Sequence, residues 1–222
     1  VAGCRWQLES DGLVSTLRIT SMALILVLIL GVWVAGVRTA RDQQRPGRKN
    51  PVLGLLNTGC QVYTTIIRGT PMMVQLLIMG FVIFASSRNF TMIGTRTLGI
   101  NSGAYVSEIV RGGLMSVDKG QMEAARSLGL NHRQAMVKVI LPQAIKNIMP
   151  ALGNEFVMMI KDTSLASTFF VGELMTVWQT VTGVFYLSLE PLIIVGCMYF
   201  IVTFSLRQGI IFMARILWET AR

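Results

Sequence analysis

Five polar side chains, Gln75, Asn154, Glu155, Lys161 and Asp162, lie inside or at the ends of otherwise apolar stretches. Ionisable groups held in hydrocarbon are costly, which makes them default functional candidates. A cation and an anion, Lys161 and Glu155, can take the two ends of a zwitterion, with neighbouring amides fixing its orientation. That chemistry is recognition without bond making. A plainer reading is open beside it: Lys161 and Asp162 as neighbours at a membrane interface, and Arg68 with Glu108 as an interhelical structural pair. No G-x-x-x-x-G-K-[ST] run is present to cradle nucleotide phosphates, and no G-x-S-x-G or H-E-x-x-H occurs. His132 is the single histidine, and Cys4, Cys60 and Cys197 are far apart, so no metal site is expected. The expectation is a chain that is not an enzyme, has no catalytic residue and holds no cofactor itself.

A second set of residues points to mechanics. Glu123-Ala124-Ala125-Arg126-Ser127-Leu128-Gly129 is a polar, helix-forming stretch between apolar ones. Paired alanines give a small, smooth surface, and Gly129 is suited to leaving a helix with φ > 0. Asp118 with Gln121, and Asn131 with Gln134, stand at cap and third-position spacing, which predicts two short helices meeting at a sharp turn. Met122, Ala125 and Leu128 recur at helical spacing as an expected contact face, with Glu123 and Arg126 at its edge. Ala124 completes the set. A short amphipathic helix laid in a partner's groove is a standard recognition mode. The simpler alternative is a solvated loop in which Glu123 and Arg126 pair with each other.

The elements that must hold these groups are membrane spans. Of the 222 residues 52% are hydrophobic and 14% charged, against about 25% charged in soluble domains. The net charge of +9 suits nucleic acid or an acidic partner, but its distribution argues against nucleic acid. Arg38, Arg41, Arg45, Arg48 and Lys49 form one cluster; Arg111, Lys119, Arg126, Arg133 and Lys138 surround the polar helix; Arg207, Arg215 and Arg222 end the chain. Residues 163–189 contain no Lys or Arg and only Glu173 as an acid. That is a positive-inside pattern. Five spans are expected, roughly 13–37, 59–85, 92–110, 142–162 and 190–207, in a single domain covering 1–222. The loop at roughly 116–141 and the C-terminus would face the cytoplasm, with the N-terminus outside. The second span is interrupted by Arg68-Gly69-Thr70-Pro71, the third is the most polar, and Pro150 is expected to bend the fourth. Gly99 and Gly103, with Ser107, form a small-residue ridge that favours tight packing within the chain. Val1-Ala2-Gly3-Cys4 resembles a lipoprotein cleavage box without the upstream regions such a box follows, so lipidation of Cys4 is not expected.

The spacing Glu-Ala-Ala, three residues, Gly129, nine residues, Val139, one residue, Leu141-Pro142 resembles the EAA signature of ABC importer membrane subunits, with Val where Ile is usual. Arg68-Gly69-Thr70-Pro71 followed by Gln75 resembles the RGTP stretch of polar amino-acid permeases. Ala104-Tyr105 through Glu108 to Arg111-Gly112-Gly113, Gly153-Asn154-Glu155-Phe156, and Lys161-Asp162-Thr163-Ser164-Leu165-Ala166-Ser167 resemble further stretches of that family. Arg96-Thr97 departs from it, since apolar residues are usual there. The resemblance implies an all-α integral membrane protein of the type I ABC importer permease (MetI-like) architecture in a bacterial inner membrane. It implies as partners cytoplasmic ABC ATPase subunits carrying ATP-Mg, a second permease copy or paralogue, an extracytoplasmic substrate-binding protein and an amino acid, besides membrane lipid. Function would be alternating access, driven through the EAA loop. Two other classes remain open at this point: an ion-gradient-driven secondary amino-acid transporter and a channel-type pore subunit. Five spans without a repeated half weigh against the first, and the signature loop has no use in the second.

Overall fold

In lipid every backbone N–H and C=O must be bonded within the protein, and a helix does this inside one segment. The computed structural model describes residues 2–44, 50–169 and 171–219, and no strand occurs among them. Arg45, Arg48, Lys49 and Arg222 of the basic clusters lie outside the described residues, as does the side chain of Cys4. Helix α1 (Ala2–Asp42) is followed by α2 (Pro51–Gly69), by α3 (Met72–Ile78) with a π turn at Met79–Ile83, and by α4 (Phe90–Met115). The short α5 (Lys119–Ser127) and α6 (His132–Ala135) come next. A π turn at Met136–Ile140 carries α6 into α7 (Leu141–Asp162); a 3-10 stretch Thr163–Phe169, α8 (Leu174–Phe185) and α9 (Leu189–Glu219) complete the chain.

By length and composition, α1 and α9 are each apolar enough to cross a membrane, and α2 with α3 makes a third such segment if counted as one broken span. Helices α4 and α7, of 26 and 22 residues, are long enough but more polar, since they carry Arg96, Glu108 and Arg111, and Lys146, Glu155 and Lys161. The stretch 59–85 is not one straight helix. It bends by 109° between α2 and α3, because Pro71 excludes the α conformation at the preceding residue, and Thr70 is extended at φ −121°, ψ 145°. Helix α7 runs on through Pro150. Residues 163–189, expected as an open loop, contain the twelve-residue α8. Its apolar run is started by Glu173 as N-cap and buries Leu174 and Val181.

Packing centres on α1 against α4, the most extensive helix pair. A Cβ on Gly99 would stand 2.5 Å from Leu26, and one on Gly103 would stand 3.0 Å from Leu30. The small-residue ridge therefore packs within the chain, with Ser107 buried beside it. Ala23, Val27, Leu98, Val106 and Met159 form the core shared by α1, α4 and α7.

The break between α2 and α3 leaves carbonyls without helical donors, and Gln75 meets them. Its Nε2 donates to Ile67 O at 2.7 Å, to Thr70 O at 3.1 Å and to Thr70 Oγ1 at 2.8 Å. Its Oε1 accepts from Asn101 Nδ2 at 2.9 Å. Replacing Gln75 with Leu strands those carbonyls, at about 1–3 kcal/mol for a buried unsatisfied group; thermal unfolding of the purified protein should show a lower midpoint. Gly99→Leu overfills the α1–α4 seam and should cost about 1–3 kcal/mol, read in the same melt, whereas Leu at the open Gly36 should leave the midpoint unchanged.

Candidate functional site

The signature loop forms as a helix, a turn and a helix start. Asp118 Oδ1 accepts from Gly120 N at 2.7 Å and so caps α5. The expected box with Gln121 does not form, because the Gln121 amide oxygen accepts instead from Gln143 Nε2 at 3.3 Å. The second box does form: Asn131 Oδ1 accepts from Gln134 N at 2.8 Å and Gln134 Oε1 from Asn131 N at 3.0 Å. Between them Gly129 has φ +85°. Its N–H donates to Arg126 O at 3.0 Å, and Leu130 N–H donates to Ala125 O at 3.2 Å. This pair of bonds is the Schellman closure of a helix, which needs a left-handed residue at the glycine position. A Cβ there would meet no neighbour, so the requirement is one of backbone conformation alone.

The orientation of α5 corrects the expected contact face. Ala125 is buried at 4% exposure, and Met122 is half-buried against the cluster of Val117, Ile140, Ala144 and Ile148. Glu123, Ala124, Arg126, Ser127 and Leu128 point outward, with Leu128 84% exposed. Met122 is thus used up fastening α5 to the π turn and the start of α7, and Ala125 is buried within the chain. Met122 turns toward the apolar surface of the π turn and α7, while Leu128 stays exposed. Among the described ion pairs there is none between Glu123 and Arg126.

The polar candidates in the helices do not converge on one point. Gln75 is committed to the α2–α3 break. Glu155 and Lys161 are six residues apart on α7, which places them about 120° apart around its axis. Asn154 and Lys161, seven apart, share an exposed stripe with Asn147, Pro150, Ala151 and Met158. Glu155 and Asp162 share a half-buried one. Lys161 also lines a cavity of about 340 Å³ with Ser164, Met175 and Tyr199, and Glu155 is not among its lining residues. The Lys161–Glu155 pairing is therefore not realised within this single chain.

Two further clusters are assembled only by the tertiary structure. Glu108 is held by Arg38 and by Arg111 Nε at 3.4 Å, with Arg68 at 3.9 Å, and Arg111 also reaches Asp42 at 2.9 Å. The expected Arg68–Glu108 pair is thus one edge of a network joining α1, α2 and α4. At the other end of the bundle, the wholly buried Glu173 accepts from Met175 N at 2.8 Å, Thr176 N at 2.7 Å and the Tyr199 hydroxyl at 2.9 Å. Burial pushes its carboxyl above the ordinary range, and these hydrogen bonds oppose that. A lone acid before an apolar run was the available signal. Among the described residues no group of His, Cys, Asp or Glu could hold a metal ion.

Known proteins share both this fold and this sequence. The family described as "Binding-protein-dependent transport system inner membrane component" matches residues 52–211. A Rickettsia bellii protein that carries the name of a glutamine transport system permease protein, GlnP, is 38% identical over 93% of this chain and 89% of its own. The arginine transport system permease protein ArtQ of Bacillus subtilis is 33% identical over 88% and 86%. A solved amino acid ABC transporter, crystallised with histidines, superposes with a TM-score of 0.83 at 36% identity, covering 94% of each chain. The chain belongs to the family of binding-protein-dependent transport system inner membrane components, the membrane-embedded permeases of ABC importers.

Proposed function

We propose that this permease carries polar amino acids inward, and that its work is done by two surfaces: the outward face of α5 and the exposed stripe of α7. The observation that carries the proposal is the way the two are joined. Met122 fastens α5 to the cluster that begins α7, Ala125 is buried beside it on the same helix, and α7 presents Asn154 and Lys161 on an open face. The cytoplasmic ATPase, holding ATP-Mg, docks on Leu128, Glu123, Ala124 and Arg126. Movement of that contact passes through the π turn into α7. Free energy enters there, because a partner shifts an equilibrium by its differential affinity for the two states.

The five-pass arrangement, with α5 and the C-terminus in the cytoplasm and the N-terminus outside, rests on the basic clusters. The α7 stripe faces a second permease copy or paralogue across the translocation path, and Lys161 meets the cargo carboxylate there. The surface of residues 163–189 receives the extracytoplasmic binding protein. Polar amino acids are the class named for the glutamine and arginine relatives.

The deciding experiment reconstitutes the permease with its ATPase and binding protein in liposomes and follows ATP hydrolysis and uptake of single amino acids. Uptake driven by an ion gradient without ATPase would overturn the proposal. Gly129→Val forces a β-branched residue into the left-handed region, at about 1–2 kcal/mol, and should abolish binding-protein-stimulated hydrolysis while membrane insertion is retained. Leu128→Asp should lower ATPase co-purification at least about tenfold, equivalent to about 1.4 kcal/mol. Lys161→Met should raise the KM for uptake with ATPase assembly unchanged; an unaltered KM removes Lys161 from the path.

A further inference from the structure

Two arginines stand apart from every ion pair described above. Arg18 on α1 and Arg96 on α4 line one groove of about 620 Å³, together with Ser15, Asn89, Thr91 and Thr95. Among the described residues no acidic side chain lines it, and neither arginine has a carboxylate within ion-pair distance. The guanidinium of Arg96 lies 5.2 Å from the centre of the Phe84 ring, a contact that occupies a face of the cation and none of its N–H donors. The groove also adjoins the amino end of the 26-residue α4, where Asn89 caps Met92 N at 3.0 Å and the helix dipole favours negative charge.

The depth of the groove points to its occupant. No charged residue stands between Arg18 and Arg38, and twenty residues of helix separate them by about 30 Å, the thickness of the hydrocarbon core. Arg18 therefore lies at one interface and Arg38 at the other. Gly99 packs on Leu26 and Gly103 on Leu30, so Arg96 is level with Ala23, about 7 Å deeper than Arg18. A flexible arginine stem covers that distance by reaching outward. Two guanidinium forks meet there with hydroxyls and an amide, at headgroup level, and the forked donors match phosphate oxygens.

We propose that this groove binds the phosphate of an anionic phospholipid headgroup in the leaflet that holds the amino end of α4. A zwitterionic headgroup binds less well, because its ammonium finds no acid in the groove. The inference rests on residence in the membrane and is independent of the cargo and of the direction of transport. The test is native mass spectrometry of the assembled transporter with phosphatidylglycerol, with phosphatidylcholine, and with inorganic phosphate alone. Retained phosphatidylglycerol should exceed phosphatidylcholine at least about threefold, and the R18Q/R96Q double variant should lower its apparent affinity at least about tenfold, equivalent to about 1.4 kcal/mol. R207Q, outside the groove, should change nothing. Equal retention of the two lipids, equal retention by wild type and double variant, or saturable binding of inorganic phosphate without lipid preference would each overturn the proposal. Hydrogen exchange on the unaltered chain needs no variant: phosphatidylglycerol should slow exchange at residues 89–96 and phosphatidylcholine should not, and no difference between them would also overturn it.

Discussion

A chain in hydrocarbon has no water to complete its backbone, and the fold turns on how that demand is met where a helix stops. At Thr70 and Pro71 the path bends by 109°, and the freed carbonyls would be costly in an apolar surround. The Gln75 side chain bonds them, and Asn101 of α4 holds Gln75 in place. One amide thus joins the two halves of the broken segment to the central helix. The bend also brings Gly80 under Phe169, where a Cβ would be only 2.3 Å from the ring. Phe90 stacks on the same ring and Phe81 meets it tilted by 51°. A straight second segment would lose that contact with the 3-10 stretch after α7.

Charge is handled differently at the two ends of the bundle. Around Glu108 the arginines of three helices share acids, so each desolvated guanidinium has a counter-charge near it. Around Arg18 and Arg96 there is none among the described residues. Glu173 is a third case, an acid enclosed by amides and one phenol that fastens α8 to α9. A buried carboxylate with its acceptor sites filled defines a single arrangement, and here it sets the register of α8.

The signature loop is a mechanical element in the strict sense that its inner face is anchored and its outer face is free. Met122 packs on the cluster that contains Ile140 and Ala144 and Ala125 is buried, so α5 is seated against the start of α7. The left-handed Gly129 lets the chain reverse within two residues, and the Asn131–Gln134 box starts the next helix at once. A stiff, short lever follows from three local motifs in succession.

Family, helical class and the position of the signature loop were legible in the sequence, because they depend on local quantities: hydropathy, cap spacing, a glycine at a helix end and the order of basic clusters. The small-residue ridge was legible for the same reason, since Gly99, Gly103 and Ser107 are four apart on one helix face. Which face each residue presents was not. Met122 and Ala125 were read as a partner surface although they turn inward, since periodicity identifies a stripe but not the side that covers it. Gln75 was read as a ligand for cargo, and its role in closing a broken helix appears only once Ile67, Thr70 and Asn101 surround it. Lys161 and Glu155 looked like a pair in one dimension, yet the helical turn sets them about 120° apart. Local signals specify the helices, their caps and the membrane they enter, whereas packing between helices assigns the polar groups that hold the fold and those left to meet a partner. Caps and hydropathy act within a turn or two of chain, whereas burial and pairing depend on residues brought together from distant helices.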